Sequence, residues 1–459
     1  MKTYAIHTLG CKVNQYESQQ IRQTLEQFGL AGSSRTHPAD VVVVNTCCVT
    51  HVASAKSRQA IRRAHKARPD AAIVVTGCLT SGDGAELQHL SDIHIVKDKT
   101  TLPGVLNHLF GNSTPVQHTD TRSKPANIPK IKDKNSSLSQ NNAPDGTQIS
   151  LDTENRRRSM APLHRFDGQC RAFLKIQDGC DASCTYCIIP KIRTNVCSKD
   201  IKTVLDEAKS LIAAGHKEII LTGIFLGAYG QTTARRKKWD ANQRDTLANL
   251  VDAVASLDGL ERLRLSSLEP LDVTDTLLAV MTAHANIAPH LHLSLQSGSA
   301  DVLRKMARQY SIDDFMRVVE RVKDAFDRPA ITTDIIVGFP GETDADFQDT
   351  LRIAEQAGFA KIHVFPFSPR KNTAAVKMAK LFGKIDAKEL KRRSSALLEL
   401  DKQLQQKFRR ACKGLTENVL IEKNRPTRGR CRRYFMVDVS GNPDAKGLKI
   451  GDTLNVVIE

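Results

Sequence analysis

The chain has 459 residues, 40% of them hydrophobic, which is too long for one ordinary core and implies about two to four domains. Sixty-seven Lys and Arg against 50 Asp and Glu leave a formal charge of +17. That imbalance favours a polyanionic partner, nucleic acid ahead of an acidic membrane surface.

Residues 1–110 alternate strand and helix patterns. YAIHTL, VVVVNT and AIVVTG are short apolar runs of the kind a buried parallel sheet uses, with helices expected at about 15–28 and 52–67 between them. This rhythm predicts an open parallel α/β domain. Residues 111–168 are polar, rich in Ser, Asn and Pro and without periodicity, so a disordered linker is expected there. From 169 to about 400 the alternation returns, with strands near 172–177, 218–222, 262–267, 291–296, 331–337 and 360–365. Six such units predict a partial β/α barrel, short of the full eight. A charged helix over 386–411 closes it. Residues 408–459 hold TENVLIE, RYFMVDV and TLNVVIE between turn residues, which predicts a small β-barrel. No apolar stretch approaches the roughly 20 residues that cross a bilayer, and MKTYAIHTLG reads as a strand, not a signal peptide. A cytoplasmic chain with reduced thiols and no membrane partner is therefore expected. There, close cysteine spacing points to metal or redox chemistry, and eleven cysteines do not pair off as disulfides.

Six of those cysteines form two triplets. Cys11, Cys47 and Cys78 each follow the end of a predicted parallel strand, where α/β sheets bind ligands. Buried cysteines acting as small hydrophobes are the alternative, but loop positions at a sheet rim disfavour it. Of the adjacent Cys47 and Cys48 only one is expected to face the others, and Cys47 is chosen. Cys180, Cys184 and Cys187 form a compact C-x3-C-x2-C in QDGCDASCTYCIIP. Structural zinc wants four ligands, and only Cys197 lies near as a spare. Three thiolates holding an iron–sulfur cluster with one open iron is the better reading.

CDASCTYC resembles the cluster loop of the radical S-adenosylmethionine superfamily. TLGCKVNQYES, NTC before KSRQAIRR, VTGC, LSSLEP, LHLSLQSGS and TTDIIVGFPGET resemble its methylthiotransferases, and the C-terminal segment is similar to their TRAM barrel. Within that family TLGCKVNQYES looks like the branch that modifies N6-threonylcarbamoyladenosine at position 37 of tRNA. The resemblance implies two [4Fe-4S] clusters, one on each triplet, and S-adenosyl-L-methionine bound at the compact one and cleaved reductively to a 5′-deoxyadenosyl radical. It implies sulfur carried by the dispersed cluster, tRNA as partner and an electron donor of flavodoxin or ferredoxin type. The alternatives are isopentenyladenosine in tRNA, a ribosomal protein, or a non-catalytic iron–sulfur regulator that binds RNA.

Further cofactor contacts are expected at barrel strand ends, namely Gly223, Ser267, Glu269, Ser294, Gln296 and Gly338. Ser294 and Gln296 share a strand face. For RNA, Arg58, Arg62 and Lys66 recur every four residues on one helix. Arg409, Arg410, Arg425, Arg428, Arg430, Arg432 and Arg433 crowd the C-terminal segment, with Tyr434 and Phe435 as candidate stacking platforms, one of which is expected to be core if they lie in a strand. RRKK at 235–238 reads as a solvated run.

Overall fold

The computed structural model describes residues 2–34, 37–82, 93–111, 161–383 and 385–459. The first unit is a five-stranded parallel sheet of β1 (Thr3–Thr8), β2 (Ala31–Gly32), β3 (Val41–Thr46), β4 (Ala72–Gly77) and β5 (Ile93–Ile95), in the order β2-β1-β3-β4-β5. The valines of β3 show why it sits at the centre. Val41 and Val43 pack with Ile21 and Leu25 of α1 (Lys12–Gln27) on one face, and Val42 and Val44 with Ile61 and Ala64 of α2 (His51–Ala67) on the other. Alternate residues of a strand point to opposite faces, so an unbroken β-branched run fits only a sheet covered on both sides.

Most of the expected linker lies outside the described residues. Its last part, 161–168, is packed: Leu163 and Phe166 are buried in the core of the next unit beside Tyr16. Tyr16 Oη donates to the carbonyl of Ala161, and Gln19 Nε2 to that of Asp167, each at 2.9 Å. Two apolar residues in a polar stretch are enough to anchor it.

The second unit is the partial barrel. Its parallel strands are β6 (Arg171–Asp178), β8 (Glu218–Gly223), β9 (Arg262–Leu265) with its continuation β10 (Ser267–Leu268), β11 (His290–Leu293), β12 (Ala330–Val337) and β13 (Lys361–Pro366). The short β7 (Cys197–Ser198) is antiparallel on β6. Leu291, Leu293, Ile331 and Ile335 join the main apolar core. On the opposite face the Thr332 hydroxyl bonds both His290 and His292. Helix Ala387–Ala411 closes the sheet edge, where Asp401 Oδ1 accepts from the amide of Ile362 at 2.7 Å and Asp401 Oδ2 pairs with Lys361.

The last unit is a four-stranded antiparallel sheet of β14 (Thr416–Asn424), β15 (Thr427–Cys431), β16 (Met436–Asp438) and β17 (Thr453–Val457), in the order β16-β15-β14-β17. RYFMVDV is not one strand. TRGRC before it is β15, and residues 432–435 turn the chain, with Tyr434 at φ 71°. Buried arginines dock this sheet on the barrel. Arg262 bonds Glu218 at 2.9 Å and the carbonyl of Asn418 at 2.7 Å, while Arg264 bonds Glu218 and the carbonyl of Arg432, both at 3.1 Å.

Candidate cluster and cofactor centre

The dispersed cysteines meet because β1, β3 and β4 are adjacent and parallel, so their carboxyl ends lie side by side. Cys11 caps α1, Cys47 follows β3, and Cys78 opens the short helix α3 (Cys78–Gly82). Asn14 ties two of these loops, donating to the carbonyls of Leu9 and Thr46 at 2.8 Å each. Gly10 has φ 103°, and a Cβ there would stand 2.8 Å from Cys47 Cβ and 3.1 Å from its sulfur. Only glycine gives that φ and that clearance. Burial pushes the Cys47 thiol up to about 11, and the neighbouring Cys78 and Cys11 add to the rise. Cys48 is fully buried in the apolar cluster with Val44 and Ile73, its sulfur donating to the carbonyl of Cys78 at 3.1 Å. It is Cys47 that turns toward Cys11.

The compact triplet follows β6. Asp178 Oδ1 accepts the amide of Gly179 at 2.8 Å, and Gln177 Nε2 donates to the carbonyls of Asp178 and Gly179 at 2.9 and 2.8 Å. Together they fix the turn into Cys180. Cys180, Cys184 and Cys187 line one cavity together with Phe225, Ser267, Glu269, Ser294, Gln296 and Arg308. Burial pushes the thiols of Cys180 and Cys187 up to about 12. Desolvated thiols of this kind become thiolates when a cation replaces the proton. Among the described residues, neither triplet brings its three sulfurs all within 4.8 Å of one another. A single tetrahedral ion with bonds of about 2.3 Å needs them closer, and sets of cysteine thiols are the donors that iron–sulfur clusters take.

Four of the expected cofactor residues, Ser267, Glu269, Ser294 and Gln296, do line that cavity. Gln296 reaches it from a left-handed backbone, φ 65°. Gly223 acts at one remove, packing on Gln177, whose Oε1 accepts the amide of Phe225 at 2.8 Å. Gly338 lies elsewhere. Its amide bonds Glu342, and a Cβ there would meet Leu390 and Ile385 at the closing helix.

Several basic residues are also placed differently from expectation. Arg432 donates to the carbonyls of Ala285 and Ile287, Arg433 to those of Asp327 and Arg328, and Arg430 bonds Glu422 and the carbonyl of Tyr434. These three hold the C-terminal sheet together and onto the barrel. Tyr434 stacks on His290 at 4.3 Å, and Phe435 packs edge-on against Phe408; both are half-buried and line one cavity. Arg410, Arg425 and Arg428 are exposed, as are Arg409, Arg62 and Lys66, while Arg58 is half-buried. In the RRKK run, Arg236 is not solvated. It lies over the rings of Phe225 and Trp239 and binds Asp272 and Glu269.

Arg308 carries no signal in its sequence context, yet it is central. Its guanidinium lies 2.7 Å from Glu269 Oε1 and 3.2 Å from both Cys184 Sγ and Tyr186 Oη. It holds the Glu269 carboxylate from one side as Arg236 does from the other. Arg193, in the loop after the compact triplet, reaches Glu17 of α1 and approaches Cys78 Sγ at 3.8 Å.

Residues 3–97 match the model described as "Uncharacterized protein family UPF0004", and residues 174–354 the radical SAM superfamily. Curated relatives include the threonylcarbamoyladenosine tRNA methylthiotransferases MtaB of Chlamydia pneumoniae, 35% identical over 92% of this chain and 87% of the relative, and of Bacillus subtilis, 35% identical over 89% and 82%. The tRNA-2-methylthio-N(6)-dimethylallyladenosine synthase of Clostridium botulinum is 31% identical over 99% and 94%. Among solved structures, the radical S-adenosylmethionine methyltransferase TsrM of Kitasatospora setae superposes with a TM-score of 0.52 at 14% identity, covering 83% of this chain and 78% of that one.

Proposed function

The chain belongs to the radical S-adenosylmethionine tRNA methylthiotransferases, and from that premise we propose that it adds a methylthio group to C2 of N6-threonylcarbamoyladenosine at position 37 of tRNA. One observation carries the choice of base. The threonylcarbamoyladenosine enzymes match at 33–35% identity over about nine-tenths of the chain, while the dimethylallyladenosine enzymes match at 30–31%.

In this reading Cys180, Cys184 and Cys187 hold one [4Fe-4S] cluster and bind S-adenosylmethionine beside it, and Cys11, Cys47 and Cys78 hold the other. When bound, the two clusters supply reductive cleavage of S-adenosylmethionine and the sulfur to be inserted. The protein's own part is orientation and exclusion of water. Glu269, clamped between Arg308 and Arg236, offers a fixed acceptor to the donor groups of the cofactor. Ile224, Phe225, Leu226 and Leu268 make the apolar part of the cavity wall and keep bulk water from the reacting groups. Arg62, Lys66, Arg409, Arg410 and Arg428 supply phosphate contacts for tRNA, with Arg58 beside them on α2.

No helix of the described residues is long and apolar enough to cross a membrane. We place the enzyme in the cytoplasm with its tRNA, reduced by a flavodoxin- or ferredoxin-type donor. The test is a reconstituted, reduced enzyme given anticodon stem-loops bearing either modified base. Conversion of the threonylcarbamoyl substrate at least tenfold faster than the dimethylallyl one is expected, and the reverse preference overturns the assignment.

A further inference from the structure

The two triplets sit on different segments, and the side chains between them form a buried ion cluster outside the cofactor cavity. At its centre is Glu17, fully buried on α1. Glu17 Oε1 accepts from Arg193 Nη1 at 2.8 Å and lies 2.5 Å from Lys99 Nζ and 3.4 Å from Lys175 Nζ; Oε2 accepts from Arg193 Nη2 at 2.9 Å. Arg193 reaches beyond Glu17 in two directions. Nη1 also donates to Asp178 Oδ1 at 3.0 Å, the oxygen that holds the amide of Gly179 just before Cys180. Nη2 approaches the sulfur of Cys78 at 3.8 Å. Lys175 closes the circuit with Asp178 Oδ2 at 2.9 Å.

Charge is not balanced within this group. Three cations, Arg193, Lys175 and Lys99, face two carboxylates, Glu17 and Asp178. Burial alone pushes Glu17 up, but Arg193, Lys99 and Lys175 hold it well below the usual carboxylate range. Burial is the main cause that draws Lys99 down to about 8, against the pull of Glu17, with Lys175 and Arg193 adding to the fall. An uncompensated buried charge is costly. The group that Arg193 faces beyond the two carboxylates is Cys78, and a cluster-bound thiolate supplies the missing negative charge.

We propose that Arg193 and Glu17 are positioning residues that couple the two cysteine sites: Arg193 matches the thiolate at Cys78 in charge and, through Asp178, holds the turn into Cys180, so the pair sets the reduction potential of the dispersed-site cluster. The link rests on the reading of both triplets as iron–sulfur sites. Hydrogen bonds to cluster sulfurs and local charge tune cluster potentials, and a cation stabilises the more negative, reduced state.

Redox titration of the holoenzyme followed by EPR tests it, with the compact-site signal identified by its response to added S-adenosylmethionine. Arg193→Gln removes a positive charge and the sulfur contact. Glu17→Gln removes a negative charge and keeps the contact. The double variant loses the contact at constant net charge. The dispersed-site midpoint is expected to fall in Arg193→Gln, rise in Glu17→Gln and fall less in the double variant. Each single shift corresponds to roughly a tenfold change in the reduction equilibrium, about 59 mV for one electron, with the compact-site midpoint moving much less. An unchanged dispersed-site midpoint, or shifts of the same sign in both single variants, refutes the coupling. Should Arg193→Gln not fold, Arg193→Lys replaces it, and the absence of a rise in Glu17→Gln is then decisive. A wild-type holoenzyme with only one EPR-active cluster contradicts the functional reading instead.

Discussion

Gly179→Ala tests the approach to the compact triplet, and its magnitude follows from a comparison with Gly29. Both glycines have φ 78°, so an alanine at either carries the same left-handed backbone strain, roughly 1–2 kcal/mol and partly offset by the stiffer unfolded chain. Their surroundings differ. At Gly29 a Cβ meets nothing within 4 Å; at Gly179 it would lie 1.8 Å from the carbonyl oxygen of Asn195. That obstacle is backbone, so segment 195–196 or the turn itself must move by more than an ångström. The turn is pinned by Asp178 and Gln177 and the segment continues into β7, so neither yields cheaply. Gly29→Ala is expected to cost about 1 kcal/mol and Gly179→Ala at least about 4 kcal/mol, in the range that marks overpacking. Urea unfolding measures both costs, and iron content with the S-adenosylmethionine-responsive EPR signal after reconstitution reports on the compact site. Gly29→Ala should reconstitute like the wild type and Gly179→Ala should lose the signal. Equal stabilities within about 0.5 kcal/mol, with equal iron, would show that the Asn195 carbonyl does not bar a side chain at this turn.

Removing Arg262 by Arg262→Met leaves Glu218 short of a partner and frees the carbonyl of Asn418. About 3 kcal/mol of stability should go, and limited proteolysis after residue 411 should rise; an unchanged digestion pattern contradicts the docking role. Burial first, then Arg264, His292, Lys12 and Arg430, hold His290 well below its usual pKa, so it is neutral in the folded chain. Because the unfolded chain takes up this proton below about pH 6.5, stability is full above that value and declines as pH falls, by up to about 1.4 kcal/mol per pH unit. Denaturation midpoints at pH 7.5 and 5.5 should show a smaller decline in His290→Gln; equal declines count against it. Replacing exposed Arg62 and Lys66 with Ala should weaken tRNA binding and reduce the slope of log affinity against log salt by about 1.4. An unaltered slope removes α2 from the RNA surface.

What could be read from the sequence was what depends on local period and strand order. The valine run of β3 needs a sheet covered on both faces, and three cysteines after parallel strands must share a rim. Polar residues at strand ends, such as Glu269 and Ser294, fall on the cavity for the same reason. What could not be read depends on partners distant in the chain. Arg432 and Arg433 look like RNA contacts until the carbonyls of Ala285 and Arg328 come under them. Arg236 looks solvated until Asp272 and Glu269 meet it. Gly338 follows a barrel strand but turns against the closing helix, because its left-handed φ, 76°, redirects the chain. Tyr434 leaves the strand pattern by the same device.

The product of the reaction distinguishes this enzyme from its dimethylallyl-modifying relatives. Nucleosides from tRNA treated with reduced, reconstituted enzyme and S-adenosylmethionine, separated and weighed by mass spectrometry, should contain 2-methylthio-N6-threonylcarbamoyladenosine at the expense of its precursor, and none in a Cys78→Ala control. Unchanged threonylcarbamoyladenosine alongside methylthiolated dimethylallyladenosine would contradict the account.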